Sequence, residues 1–299
     1  MRAVIPFPDI SPEIFSVHLL GVDFALRWYA LAYLVGLVLG YLLSRAAIAR
    51  AQLWPGNAAP LKREQLDDLL TWMILGIILG GRLGYVLFYQ PAYYLSHPAE
   101  IVQIWTGGMS FHGGFLGVCI VALIYSRRHA IPLGSLADML ALAAPLGLML
   151  GRIANFINGE LWGRPSDVPW AVVFPGPLAQ TCPGFPTPCA RHPSQLYEAG
   201  LEGLLLGAVV IGLAFGTRVL KSRWRLTGVF LTGYGIARFI VEYFRLADAQ
   251  FITPDNPHGH VLSLTPEIGI TMGQVLSLPM ILAGVALIAL TFRKPAAAA

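Results

Sequence analysis

The chain has 299 residues, of which 56% are hydrophobic and only 12% charged, with a formal net charge of +4. A soluble domain carries about 25% charged residues, so this composition excludes one and points to an integral membrane protein. The basic balance is read as membrane topology and not as a nucleic-acid footprint, because the basic residues collect between apolar stretches on one side.

In chain order, residues 1–20 hold Pro6, Pro8 and Pro12 and no basic region leading into a short apolar core. No cleavable signal peptide is expected, so the first apolar stretch inserts the chain itself. Seven stretches are long and apolar enough to cross a core of about 30 Å: 24–43, 69–89, 108–125, 136–157, 195–216, 226–244 and 272–292. The expected fold is an all-α integral membrane protein of seven transmembrane helices, one membrane-embedded domain over 1–299. With the N-terminus outside and the C-terminus cytoplasmic, 12 Lys and Arg fall in cytoplasmic segments, 4 in external ones and 4 in the spans, as the positive-inside rule asks.

At the first span Asp23 and Arg27 are read as an i,i+4 pair, with Trp28, Tyr29 and Tyr33 as an aromatic belt and Tyr29 the residue among them closest to function. Gly76, Gly80 and Gly84 in the second span, Gly113 and Gly117 in the third, and Gly147 and Gly151 in the fourth recur every four residues, which suits close helix packing. Arg82 lies midway in the second span and calls for a carboxylate or a lipid phosphate. In the third, glycines 107, 108, 113, 114 and 117 crowd the helix around His112, which reads either as a core or interface histidine or as a catalytic one, and Cys119 reads as a small core residue.

The fourth span ends in Gly-Arg-Ile-Ala-Asn-Phe-Ile-Asn-Gly-Glu-Leu-Trp-Gly at 151–163. Arg152, Asn155, Phe156 and Gly159 share one helical face. A guanidinium there keeps its charge at any relevant pH. It either meets an anionic ligand or pairs with a carboxylate on a neighbouring helix. Residues 158–194 hold eight of the 22 prolines, and 245–271 form a second long segment, so a periplasmic head is expected from these two loops. Within the first, Cys182 and Cys189 are a possible disulfide in an oxidising compartment.

Ahead of the fifth span, Arg191-His192-Pro193-Ser194-Gln195-Leu196-Tyr197-Glu198 places Ser194 as an N-cap and Glu198 in the favourable first turn. The sixth span carries Tyr234, Arg238, Glu242 and Arg245 as one stripe, two cations against one anion; Glu242 either simply neutralises Arg238 as an i,i+4 pair or leaves an excess of positive charge that a phosphate would satisfy. His258, His260 and Asp255 make a weak metal pattern, and no metal or cofactor is expected. Residues 295–299, Pro-Ala-Ala-Ala-Ala, read as a disordered tail. A transporter or flippase for an anionic lipid is the competing reading, opposed by the gathering of polar residues near the outer side and the lack of an inverted repeat.

Phe-His-Gly-Gly at 111–114, the block at 151–163, His-Pro-Ser-Gln-Leu-Tyr-Glu at 192–198 and Tyr-Gly-Ile-Ala-Arg-Phe-Ile-Val-Glu at 234–242 together resemble the bacterial prolipoprotein diacylglyceryl transferase family. Arg-Trp-Tyr at 27–29 and Gly-Gly-Arg-Leu-Gly-Tyr at 80–85 are also similar to it, while Ala154 departs from the family's glycine. The resemblance implies an enzyme of the bacterial inner membrane with its active face toward the periplasm. It implies transfer of diacylglyceryl from phosphatidylglycerol to the lipobox cysteine of a prolipoprotein, releasing glycerol phosphate. The partners implied are phosphatidylglycerol, prolipoprotein lipobox segments and membrane lipids. His112, Arg152 and Arg238 would be catalytic, and Tyr29, Arg82, Asn155, Asn158, Gly163, Gln195, Tyr234, Glu242 and Arg245 would bind substrate.

Overall fold

A computed structural model describes residues 5–19, 22–182, 185–263, 265 and 268–293. Arg2, Lys294 and the expected tail at 295–299 lie outside these residues.

Seven long helices follow the apolar stretches: α1 (Trp28–Ile48), α2 (Arg63–Phe88), α3 (Phe111–Arg128), α4 (Leu133–Ile157), α5 (Ser194–Gly216), α6 (Arg225–Val241) and α7 (Met272–Arg293). Five of them are long and apolar enough to cross a membrane by length and composition. The other two are the shortest, α3 with 18 residues and α6 with 17. Within α5, Ala199–Leu205 has π-helical winding, a feature that re-aims side chains and recurs at functional sites.

Chain alternation sends the ends of these helices to two poles. One pole gathers the starts of α1, α3, α5 and α7, the ends of α2, α4 and α6, and the loops 158–193 and 245–271. The opposite pole holds Arg45, Arg63, Arg127, Arg128 and Arg225 at helix ends. Its core packs Trp54, Leu66, Leu69, Met73, Leu136, Met139, Leu142, Val210, Leu220 and Leu226.

The expectation of an all-α chain is corrected by three two-stranded ribbons. β1 (Ile5–Pro6) runs parallel to β4 (Val172–Val173); β2 (Glu13–Leu19) pairs antiparallel with β3 (Val22–Arg27), and β5 (His260–Ser263) with β6 (Gly269–Thr271). Residues 24–27 read as the head of the first span on hydropathy alone. In β3 the alternating Val-Asp-Phe-Ala-Leu-Arg of 22–27 fits a pleat with a partner strand. Arg27 therefore meets Glu13 across the hairpin at 3.3 Å instead of an i,i+4 helical partner.

Glycine packing holds between α2 and α3. A Cβ on Gly80 or Gly117 would drive into the backbone carbonyl of Gly113 or Gly76, so the two backbones touch where only glycine fits. On α4 the expectation holds in part: Gly147 receives the Gly36 position of α1, but a Cβ on Gly151 would meet nothing within 4 Å. Cys119 is exposed on α3, so it is no core residue.

The head rests on α4. Val172, Phe174 and Ala179 form a small core against Phe7, Phe156 and Trp162, and Phe156 projects from the last turn of α4. A disulfide joins Cys182 to Cys189 beside it.

Candidate active site

At the loop-bearing pole three arginines converge on one carboxylate. Arg152, near the end of α4, places Nε 3.1 Å from Glu198 Oε2. Arg238 and Arg245 each place Nη1 2.6 Å from Glu198 Oε1. Glu242 bridges the same two arginines, 2.9 Å from Arg238 and 3.4 Å from Arg245. Glu202 lies 3.9 Å from Arg152.

Local structure explains the convergence. Arg238 sits in the last turn of α6, Glu242 is its C-cap, and Arg245 follows as the chain turns back, so one stripe crosses the helix end. Glu198 and Glu202 occupy the first turns of α5 and flank or enter the π-helical stretch. The start of α7 closes over Glu242: Thr271 donates to its carboxylate at 3.2 Å, and a Cβ on Gly273 would run into that carboxylate. A carboxylate at a helix N-terminus is electrostatically favoured. Tyr234 lies one turn before Arg238 on the same helix.

The stripe expected to be net positive is therefore corrected. Glu198 and Glu202 add two carboxylates from α5, and the cluster holds three arginines and three glutamates. Both readings of Arg152 meet here, since its resting partner is a carboxylate on a neighbouring helix. The arginine side chains keep 21%, 18% and 13% exposure, whereas Glu198 and Glu202 have none. An incoming anion thus meets cations first.

A second polar group adjoins the first. Asn155 donates to the Tyr29 hydroxyl on α1 and to Glu160 Oε1 at 3.0 Å, and Asn158 donates to the same oxygen at 3.4 Å. Gln195 donates to the Glu160 carbonyl. Ser194 is not the N-cap; its hydroxyl donates to the Leu161 carbonyl at 3.1 Å. Gly163 bridges to Arg245, and any side chain there would collide with the Phe244 and His192 backbones, so it fixes where the chain beyond α6 lies against the head.

Arg164 and Arg191 brace the same loops. Arg164 donates to the Arg245 carbonyl at 2.8 Å and meets His258 Nδ1 at 3.1 Å. Burial lowers the pKa of both arginines. His192 contacts the Tyr197 hydroxyl at 3.0 Å, and its pKa is lowered by burial first and by the Arg164 charge second.

Two of the sequence candidates stand apart. Arg82 is 4% exposed and donates to the carbonyls of Glu100, Ile101, Gly107 and Gly108 at 2.6–3.2 Å, with Tyr94 under its guanidinium. Its expected carboxylate or lipid partner is replaced by backbone. His112 is exposed in the first turn of α3, edge-on to Phe111, with no hydrogen bond or ion pair among the described residues. Sequence reasoning passed over Glu160 and Glu202 and read Glu198 only as a helix-start anion. The available signal was that Glu198 and Glu202 are four apart in an otherwise apolar stretch.

The family model described as prolipoprotein diacylglyceryl transferase matches residues 16–290. A phosphatidylglycerol–prolipoprotein diacylglyceryl transferase of Ruegeria pomeroyi is 61% identical, covering 95% of this chain and 96% of its own. Proteins with the same name from Roseobacter denitrificans and Rhizobium meliloti are 59% and 49% identical, over 97% and 99% of this chain and 98% and 97% of theirs.

Proposed function

Because this chain belongs to the prolipoprotein diacylglyceryl transferase family, we infer that it moves the diacylglyceryl group of phosphatidylglycerol to a cysteine thiol of a prolipoprotein, and that the arginine–glutamate cluster holds the lipid phosphate. The observation that carries this is the meeting of Arg152, Arg238 and Arg245 on Glu198, with the guanidinium side chains partly accessible and the carboxylate not. Guanidinium forks match phosphate oxygens, so a phosphodiester can take over donors that now face Glu198 and Glu242.

The nucleophile belongs to the substrate: a thiol of ordinary pKa about 8.5, reactive as thiolate. Sulfur attacks the glycerol carbon, the C–O bond breaks, and its electron pair settles on the phosphate oxygen, giving a thioether and glycerol phosphate. Negative charge grows where the arginines point, and one such donor is worth about 10²–10³ in rate. Asn155, held by Tyr29 and Glu160, orients the headgroup; Asn158, Gly163, Gln195 and Tyr234 shape the wall beside it. His112, exposed at the same pole, receives the thiol proton of a lipobox segment arriving from that side.

The seven long helices serve as seven spans. α6, about 26 Å long, sits where the head and the Arg245 turn extend it. The arginines at the opposite pole support a cytoplasmic position for it by the positive-inside rule, with the N-terminus and the cluster then on the periplasmic side of a bacterial inner membrane.

The test is thioether formation by the purified protein in detergent, given phosphatidylglycerol and a lipobox peptide. Arg152→Lys keeps the charge and loses the fork, and a fall in kcat of about a hundredfold is expected. Wild-type turnover in that variant, or lipid movement across vesicles without thioether, overturns the reading.

A further inference from the structure

We propose that Glu202 takes up one proton when the anionic phosphate of phosphatidylglycerol enters the arginine cluster, so that lipid binding is proton-coupled and Glu202 acts as a positioning residue for Arg152. The proposal rests on the cluster being the phosphate site and names what keeps that site neutral when it is filled.

Charge balance states the problem. Three arginines and three glutamates make a neutral set, and a phosphodiester brings one more negative charge into it. An uncompensated charge in a buried site costs several kcal/mol, and a group that can change protonation does so instead. One of the three carboxylates must yield.

Bonding selects which one. Glu198 accepts from Arg238 and Arg245 and lies 3.1 Å from Arg152. Glu242 is bridged by Arg238 and Arg245 and accepts from Thr271. Glu202 has neither kind of support. It is 0% exposed, both of its oxygens lack a hydrogen-bond donor among the described residues, and its nearest cation is Arg152 at 3.9 Å.

The charged and titratable groups around Glu202 act against one another, and the bound lipid tips the balance. Arg152 reaches it from α4, Tyr234 and Arg238 from α6, and Arg245 from the turn beyond, while Glu198 repels it from one helical turn away on α5. A phosphate that draws Arg152 toward itself removes the closest attraction and leaves the repulsion. The proton is then held best on Glu202, supplied from water with no other reactant. Neutral Glu202 releases Arg152 to the phosphate, and the filled site again has three positive and three negative charges.

The experiment is titration calorimetry of phosphatidylglycerol in detergent micelles into the full chain without peptide, in two buffers of different ionisation heat at each pH. Proton uptake by the wild type should approach one per lipid bound as pH rises above neutrality, with Kd rising by up to about tenfold per pH unit in that range. Glu202→Gln should bind at least as tightly, take up none and give a flat Kd. Saturable binding by the wild type without proton uptake overturns the proposal and leaves the phosphate site standing, as does uptake that persists in Glu202→Gln. Absence of lipid binding by the wild type removes both. The wild-type uptake is read without any variant, so a Glu202→Gln protein that fails to fold does not spoil the test.

Discussion

Arg82 and Arg152 are both arginines in long apolar helices, and they are neutralised in opposite ways. Arg82 meets four backbone carbonyls of the loop between α2 and α3, acceptors that cannot titrate, move independently or be replaced. Arg152, with Arg238 and Arg245, meets carboxylates that titrate and can give way to another anion. The first arrangement fixes a loop and the second holds an exchangeable charge. Arg191 in the head follows Arg82, with donors on the carbonyls of Ala179, Thr181 and Gly163.

The largest test of the contrast removes the shared anion. Glu198→Gln puts an amide where three guanidiniums converge, leaving buried cations short of a partner. Breaking such a set costs about 3–5 kcal/mol. We expect thermal unfolding in detergent to shift accordingly and turnover to fall at least about a hundredfold. A variant that melts like the wild type would mean the cluster is not held by Glu198. Next in size is Arg82→Lys, where one ammonium cannot reach four carbonyls spread over residues 100–108. A loss of about 2–3 kcal/mol in stability is expected, with KM for phosphatidylglycerol within about threefold of the wild type. A large rise in KM at unchanged stability would move Arg82 to the substrate side of the comparison.

What could be read beforehand follows the same division. Hydropathy located all seven long helices, because a stretch of about 20 apolar residues is a local property of the chain. Helical spacing grouped Arg238, Glu242 and Arg245, which lie together at the end of α6. Spacing within one helix is silent about the next, however. Glu198 and Glu202 look like isolated anions until α5 is laid against α4 and α6, and so the net charge of the stripe was misjudged. The acceptors of Arg82 are carbonyls, which every residue has, so no side-chain pattern announces them. The β2–β3 hairpin was missed because hydropathy does not separate an apolar strand from the start of an apolar helix.

The smallest expected effect lies at the edge of the cluster, in the head. His192 is half-buried against Tyr197 and Phe244 just before α5, with its pKa held below the ordinary 6.5 by burial and by Arg164. A depressed histidine pKa means the unfolded chain takes the proton first. Its contribution to stability is full above about pH 6.5 and declines as pH falls, until the folded group titrates as well. One proton limits the slope to about 1.4 kcal/mol per pH unit, and partial solvent screening keeps it below that. Thermal unfolding in detergent between about pH 8 and 5 should slope downward for the wild type, less steeply for His192→Gln, which keeps a polar partner for Tyr197. Equal slopes would mean that His192 is not the source of the acid sensitivity.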